Sequence, residues 1–289
     1  MNKEPFLSVS PHKSVTLIDL VETQTPEASQ AFIARTTPLA QEAGGRVVIA
    51  NGAIAPMIVP DENAEDSDGA IRLLMVTHYP TKQAAQLSLK KRQDLGTEFS
   101  NDPIRTYVAQ SAGRIQSFIG RTLPYTVGLW KRRPVPKITD TQSLEALIDE
   151  ALVLGEQPDK SRWMKLAERA GDRPIWMLNF LDFEKTARYA DDALSAAPAA
   201  PISGARAYQL YGNGMMSSLA AVGGRVGWTG RALGQLAGRD DGHWHQVAIA
   251  VYPSPAAMMT MLALPKYRAA HIHRAAALAR TRLLATQPI

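Results

Sequence analysis

The sequence predicts an α+β protein in which two βαββα(β) repeats pack sheet to sheet as an intramolecular α/β barrel, with a helical linker between them. Three observations predict it. The order strand, helix, strand, strand, helix occurs twice along the 289 residues. Landmarks coincide between the two passes: Gly44-Gly45-Arg46-Val47 matches Gly223-Gly224-Arg225-Val226, and Tyr79-Pro80 matches Tyr252-Pro253. A basic stretch with two prolines, KRRPVPKITD, then separates the passes as a linker would.

In the first repeat, residues 13–130, VTLIDLVE reads as a strand and TPEASQAFIARTTPLAQEAGG as a helix closed by Gly44 and Gly45. RVVIANGAI and IRLLMVTHYP are the next two strands, joined by the acidic, turn-rich PDENAEDSDG (60–69), expected as an exposed hairpin loop. The helix TKQAAQLSLKKRQDL follows, then a second helical stretch, PIRTYVAQSAGRIQSFIGRTL. The linker, 131–172, carries one or two amphipathic helices in TQSLEALIDEALVLGEQPDKSRWMKLAERAG. The second repeat, 173–289, runs PIWMLNFLDF, a helix around AYQLYGNGMMSSLAAVGG, the strands RVGWTGRAL and WHQVAIAVYPS, and one long helix from Pro255 through RTRLLAT. Each unit with a short final strand follows the ferredoxin-like plan, whose antiparallel sheet carries helices on one face only. The bare faces of the two sheets would meet and close a barrel, whose lumen is then the expected ligand pocket.

Composition narrows the chemistry. With 45% hydrophobic and 20% charged residues the chain can bury a large core, and disorder is excluded. No apolar run approaches about 18 residues, and the start of the chain lacks the apolar stretch of a secretory signal, so a cytoplasmic protein that engages no membrane is expected. There is no cysteine, which removes disulfides, thiolate metal sites and cysteine nucleophiles. The formal charge is +5, and no acidic residue follows Asp241. That tail holds five cations, among them Arg274, Arg280 and Arg282, and it suits either a solvated basic face or an anionic ligand. Tyr267 is the one aromatic set between these cations, too little for a base-stacking pattern, so nucleic acid is not an expected partner. The phosphate-binding loop, the dinucleotide glycine fingerprint, the Gly-X-Ser-X-Gly elbow and His-Glu-X-X-His are all absent.

Several residues qualify for a site. Asp19 and Asn179 occupy the same register position in the first strands of the two repeats, where a polar side chain needs a partner if buried. Each is either bonded to nearby backbone or placed in the lumen as a pair, with Asp19 as proton acceptor. Tyr79 and Tyr252 end the equivalent third strands, as donors at the mouth of the lumen or as core caps. Arg231 stands where the first repeat has Gly52, an asymmetry consistent with one binding half. His243 and His245, two apart on an expected strand, would share a face and could hold a transition metal with a third ligand. His271, on the helical stripe of Tyr267, is expected inward and is the candidate third ligand or haem ligand, whereas His273 is expected outward.

The segments PIWMLNFLDF, GGRVGWTGRA, HWHQVAIAVYPSPAAMMTML and PKYRAAHIHRAAALARTRLLAT resemble the domain-of-unknown-function 1330 type of the dimeric α/β-barrel superfamily. The resemblance covers about 115 residues of the second repeat well and the first more loosely. It implies the barrel fold, and it implies a superfamily that includes cofactor-free monooxygenases, isomerases, haem enzymes and binding proteins, so fold alone leaves the activity open. His273-Arg274 matches the family pattern, while His243 and His245 depart from it. The expected function is a small-molecule enzyme with oxygenase- or isomerase-like chemistry and no bound organic cofactor, acting on a largely apolar substrate that can carry an anionic group. Asp19 would be the base, Asn179 and Tyr252 would hold a carbonyl or enolate oxygen, and Tyr79, Arg231 and Arg274 would bind substrate. The alternatives are a haem- or metal-dependent oxidoreductase using His243, His245 and His271, and a non-catalytic ligand-binding or interaction protein that assembles as a homo-oligomer through the apolar helix around Met258 to Leu264.

Overall fold

The computed structural model describes residues 6, 9–59, 70–94, 104–111, 132–138, 140–152, 158–238 and 242–289. The first half contributes β1 (Val15–Val21), α1 (Pro26–Glu42), β2 (Arg46–Ile58), β3 (Leu73–Tyr79), α2 (Lys82–Asp94) and β4 (Ile104–Ser111). Two helices follow, α3 (Thr141–Leu152) and α4 (Lys160–Ala170). The second half contributes β5 (Ile175–Phe183), α5 (Gly204–Ala221), β6 (Arg225–Ala237), β7 (Gln246–Tyr252), α6 (Pro255–Ala263), α7 (Pro265–Ala277) and β8 (Leu278–Pro288). The expected hairpin loop at 60–69 lies outside the described residues. Among the described residues, no helix is long and apolar enough to cross a membrane.

The eight strands form one closed antiparallel barrel in the order β1-β3-β2-β8-β5-β7-β6-β4. Each half contributes four contiguous strands in the order that the ferredoxin-like plan requires, β4-β1-β3-β2 and β8-β5-β7-β6. Closure comes from β2 pairing with β8 and β6 with β4. The two 13-residue strands, β2 and β6, reach across to the other half, and each bulges where it does so. Both helix-to-strand joints use the same device. Gly44 and Gly223 take φ of 77° and 78°, and the amides of Gly45 and Gly224 bond back to Ala40 and Leu219 at 2.7 and 2.8 Å, closing α1 and α5 with a left-handed glycine.

Parts of two expected helices are strands instead. Of the stretch expected as a helix after Asp102, residues 104–111 form β4 and residues 112–123 lie outside the described residues, while the long C-terminal helix ends at Ala277, after which Leu278–Pro288 is β8. Arg, Leu and Ala favour a helix locally, but a helix at either place would leave two strands each with an unpaired edge. As a strand, β8 bonds to both β2 and β5 and buries Leu283, Leu284 and Ala285.

Among the described residues the lumen is packed rather than open. Ile18, Leu20, Leu74, Val76, Phe180 and Ile249, with their neighbours, fill it as a packed core. Arg282, 1% exposed, enters the same space, donates to the Tyr107 hydroxyl at 3.1 Å and lies over the rings of Phe180 and Trp244. The alternate side chains of each strand point outward and are covered by helices: α1 and α2 over most of the first half, and α3 to α7 over the second half and the end of β2 that carries Ala55 and Met57.

Candidate functional site beneath the C-terminal helices

Strand alternation decides where the polar strand residues fall. Ile18 and Leu20 face the lumen, so Asp19 between them faces the helices; Leu178 and Phe180 likewise put Asn179 on the helix side. The two positions are equivalent in register, since Asp19 lies opposite Met75 and Thr106, and Asn179 opposite Ala248 and Leu283. Their surroundings differ.

Under α2 the space is closed. Asp19 is fully buried, accepting from Arg92 Nη1 at 2.9 Å and from Thr106 Oγ1 at 2.7 Å. Burial opposes the charge of Arg92, but the Asp19 carboxylate beside it raises its pKa above the ordinary value. Tyr79, also fully buried, donates to Ser88 Oγ at 2.8 Å. Asp19 and Tyr79, expected in or at the lumen, are therefore internal partners in a packed layer outside it, because their strand parity points them at α2. Arg231, expected to bind substrate, is exposed on β6 opposite Gln110 and Gln246 and does not line the cavity beneath α6 and α7.

Under α6 and α7 the equivalent space is open. A cavity of about 70 Å³ has Met177, Asn179, Tyr252 and Leu283 on its strand side and Met258, Leu262, Tyr267, His271 and Arg274 on its helix side. Tyr211 of α5, Ile58 of β2, Pro158, and Ala151, Leu152 and Trp163 of the linker helices complete it. The helices are placed by local signals. Ser254 caps α6, accepting from Ala257 N at 3.2 Å, and Pro255 and Pro265 begin α6 and α7 where a missing amide costs nothing. The spacing of Tyr267, His271 and Arg274 puts all three on one face of α7. Gly214 of α5 lets α7 approach, for a Cβ there would stand 2.5 Å from Ala270 Cβ.

The electrostatics of the cavity are those of neutral donors around one cation. Burial, reinforced by the charge of Arg274, lowers the pKa of His271 to about 4, so its imidazole is neutral at pH 7. Burial raises the phenol pKa values of Tyr211, Tyr252 and Tyr267, while Arg274 opposes the rise at each, so all three remain protonated donors. Asn179 spends one N–H on Met177 O at 2.9 Å, which leaves its second N–H and its carbonyl oxygen for a ligand.

The expected metal set does not converge. His243 and His245 lie before β7 rather than on it, both exposed, with rings 4.8 Å apart. His245 sits 2.8 Å from Asp182 Oδ1 and stacks on Phe183, whereas His271 lines the cavity. Among the described residues no group of three or more His, Asp or Glu could hold a metal ion. His273, expected outward, is half-buried and hydrogen-bonded to the Tyr189 hydroxyl at 2.8 Å. Haem meets a different obstacle. His271 is the right kind of ligand, but 70 Å³ is well below the roughly 300 Å³ at which pockets for larger organic ligands begin, so the cavity does not fit a macrocycle.

Trp163, Tyr211 and Tyr267 are site residues that the sequence reading did not single out. The available signal was the stripe Tyr267-His271, which already carried one of them; nothing in the linker sequence pointed Trp163 at a cavity.

The fold is an eight-stranded closed antiparallel α/β barrel with a cavity on its outer, helix-covered face. No protein-family model and no curated protein matches the chain. Among solved structures, RPA0582 of Rhodopseudomonas palustris, described as a protein of unknown function, is 35% identical, with 46% of this chain and 95% of that one covered at a TM-score of 0.40. Its methylated form matches at the same identity over 93% of its length, with a TM-score of 0.41. Chlorite dismutase from Candidatus Nitrospira defluvii in complex with imidazole is 10% identical, with 100% of this chain and 96% of that one covered at a TM-score of 0.43.

Proposed function

We propose that the protein is a small-molecule enzyme whose site is the cavity beneath α6 and α7, and that it moves a proton on a small, largely apolar carbonyl compound without an organic cofactor. The observation that carries this reading is the convergence of Asn179, Tyr252, His271 and Arg274 on one cavity walled by Met, Leu and aromatic side chains. Tyr252 and Asn179 would donate to the carbonyl oxygen, and Arg274 would draw negative charge toward it. The neutral His271 would accept the proton from the adjacent carbon as the C–H electron pair moves into the enolate. A base with a pKa of about 4 is weak, so it needs a substrate whose C–H is itself acidic. Asp19, sealed by Arg92 and Thr106, has no part in this reading. We further infer that the chain arose by duplication of one ferredoxin-like unit, because the strand order and the glycine joint occur in both halves.

Proton NMR in D2O over a panel of small ketones and oxo acids tests the reading. Exchange at the carbon beside the carbonyl, faster than in buffer and lost in His271→Gln, supports it. Saturable binding with no exchange favours a binding protein, and no binding by any member of the panel rejects the site. An absorption band of haem in the protein as isolated would also overturn it.

A further inference from the structure

Two donors in the cavity have nothing to donate to. Trp163 is 1% exposed and Tyr252 5%, both line the cavity, and neither the indole N–H nor the phenol O–H has a hydrogen-bond partner among the described residues. Neither atom is packed away from open space, in contrast to buried orphans such as Thr36 Oγ1 and Thr77 Oγ1. A ligand with two acceptor oxygens would give both donors a partner.

The linker helix brings Trp163 there by design of its inward stripe. Trp163, Leu166, Ala167 and Ala170 are the buried residues of α4, which Asp159 caps by accepting from Arg162 N at 3.0 Å. Arg162 and Arg169 then bond to the carbonyls of Pro56 and Ile54 on β2 at 3.4 and 2.6 Å, fixing the helix against the barrel. The linker is thus one wall of the site.

We propose that the substrate is a small 1,3-dicarbonyl compound, a β-diketone or β-oxo acid, held by Tyr252 at one oxygen and by Trp163 at the other. The inference rests on the reading of the cavity as a proton-transfer site. A carbon between two carbonyls has an acidic C–H, which is what the weak base at His271 requires. On its removal the proton goes to the imidazole and the electron pair is shared between the two oxygens, so two separate donors serve the enolate better than one.

Acetylacetone and its monoketone counterpart 2-pentanone test this by calorimetric titration. The wild-type protein is expected to bind acetylacetone at least about tenfold more tightly, in line with one additional buried hydrogen bond. Trp163→Phe, which keeps an aromatic ring and deletes the donor, should erase that preference while 2-pentanone binding persists. Equal binding of the two by the wild type, or a preference that survives in a folded Trp163→Phe, overturns the inference and leaves the cavity reading intact. Binding of neither overturns both. If Trp163→Phe does not fold, the indole 1H–15N signal of Trp163 in the wild-type protein, assigned through its contacts with the cavity methyl groups, decides: a shift on adding acetylacetone is expected, and an unmoved signal overturns the inference.

Discussion

Asp19 and Asn179 occupy equivalent positions on β1 and β5, yet Asp19 is closed off by Arg92 Nη1 at 2.9 Å and Asn179 borders a cavity. A single difference in side-chain charge accompanies two different fates of the same architectural place. In the first half the chain supplies both the carboxylate and its cation. In the second half the strand offers only a neutral amide, and the space beside it stays open.

The sealed pair should matter for stability and not for binding. Arg92→Met leaves a buried carboxylate without its cation and is expected to cost about 3–5 kcal/mol in urea unfolding. Asp19→Leu combined with Arg92→Leu should cost less than that, since no lone charge is left behind. Ligand affinity in the cavity of the folded variants is expected to match the wild type; a loss would assign Asp19 a role that its burial denies.

His271 gives the protein an acid-sensitive element. Its pKa is near 6.5 when unfolded and about 4 when folded, so between these values the unfolded chain binds more protons. The stabilisation is therefore complete above pH 6.5 and declines as pH falls toward 4, by up to about 3 kcal/mol. His271→Gln should flatten that portion of the stability curve. An unchanged slope would mean that the imidazole is not the buried group that titrates.

Helix approach at Gly214 is tested by one methyl group. Gly214→Ala places a Cβ against Ala270 and should destabilise by about 1–3 kcal/mol while displacing the face of α7 that carries Tyr267 and His271. Ala270→Gly in the same protein should recover most of the loss, because it removes the atom that is met.

The paired glycine joints predict paired costs. Gly44→Ala and Gly223→Ala each force a left-handed backbone on an alanine and should each cost about 1–2 kcal/mol in thermal unfolding. A large difference between the two would show that the joints are not carrying the same load.

What the sequence determined by itself is the set of elements whose pattern is local: β1 to β3, β5 to β7, the helices between them and the two linker helices. Their apolar periodicity, caps and terminal glycines are short-range signals. It also put His271 inward, through the helical stripe shared with Tyr267. The tertiary structure alone decided that Leu278–Pro288 is a strand, since its Leu, Ala and Arg residues favour a helix until two open sheet edges compete for its backbone. It alone placed the pocket as well. Which face of a strand meets the lumen depends on register and closure across the whole barrel, so Asp19 and Asn179 could be paired from the sequence but not turned outward. Trp163 reached the cavity only because α4 docks on β2, a contact between residues more than a hundred positions apart in the chain, and no local pattern encodes a distance of that kind.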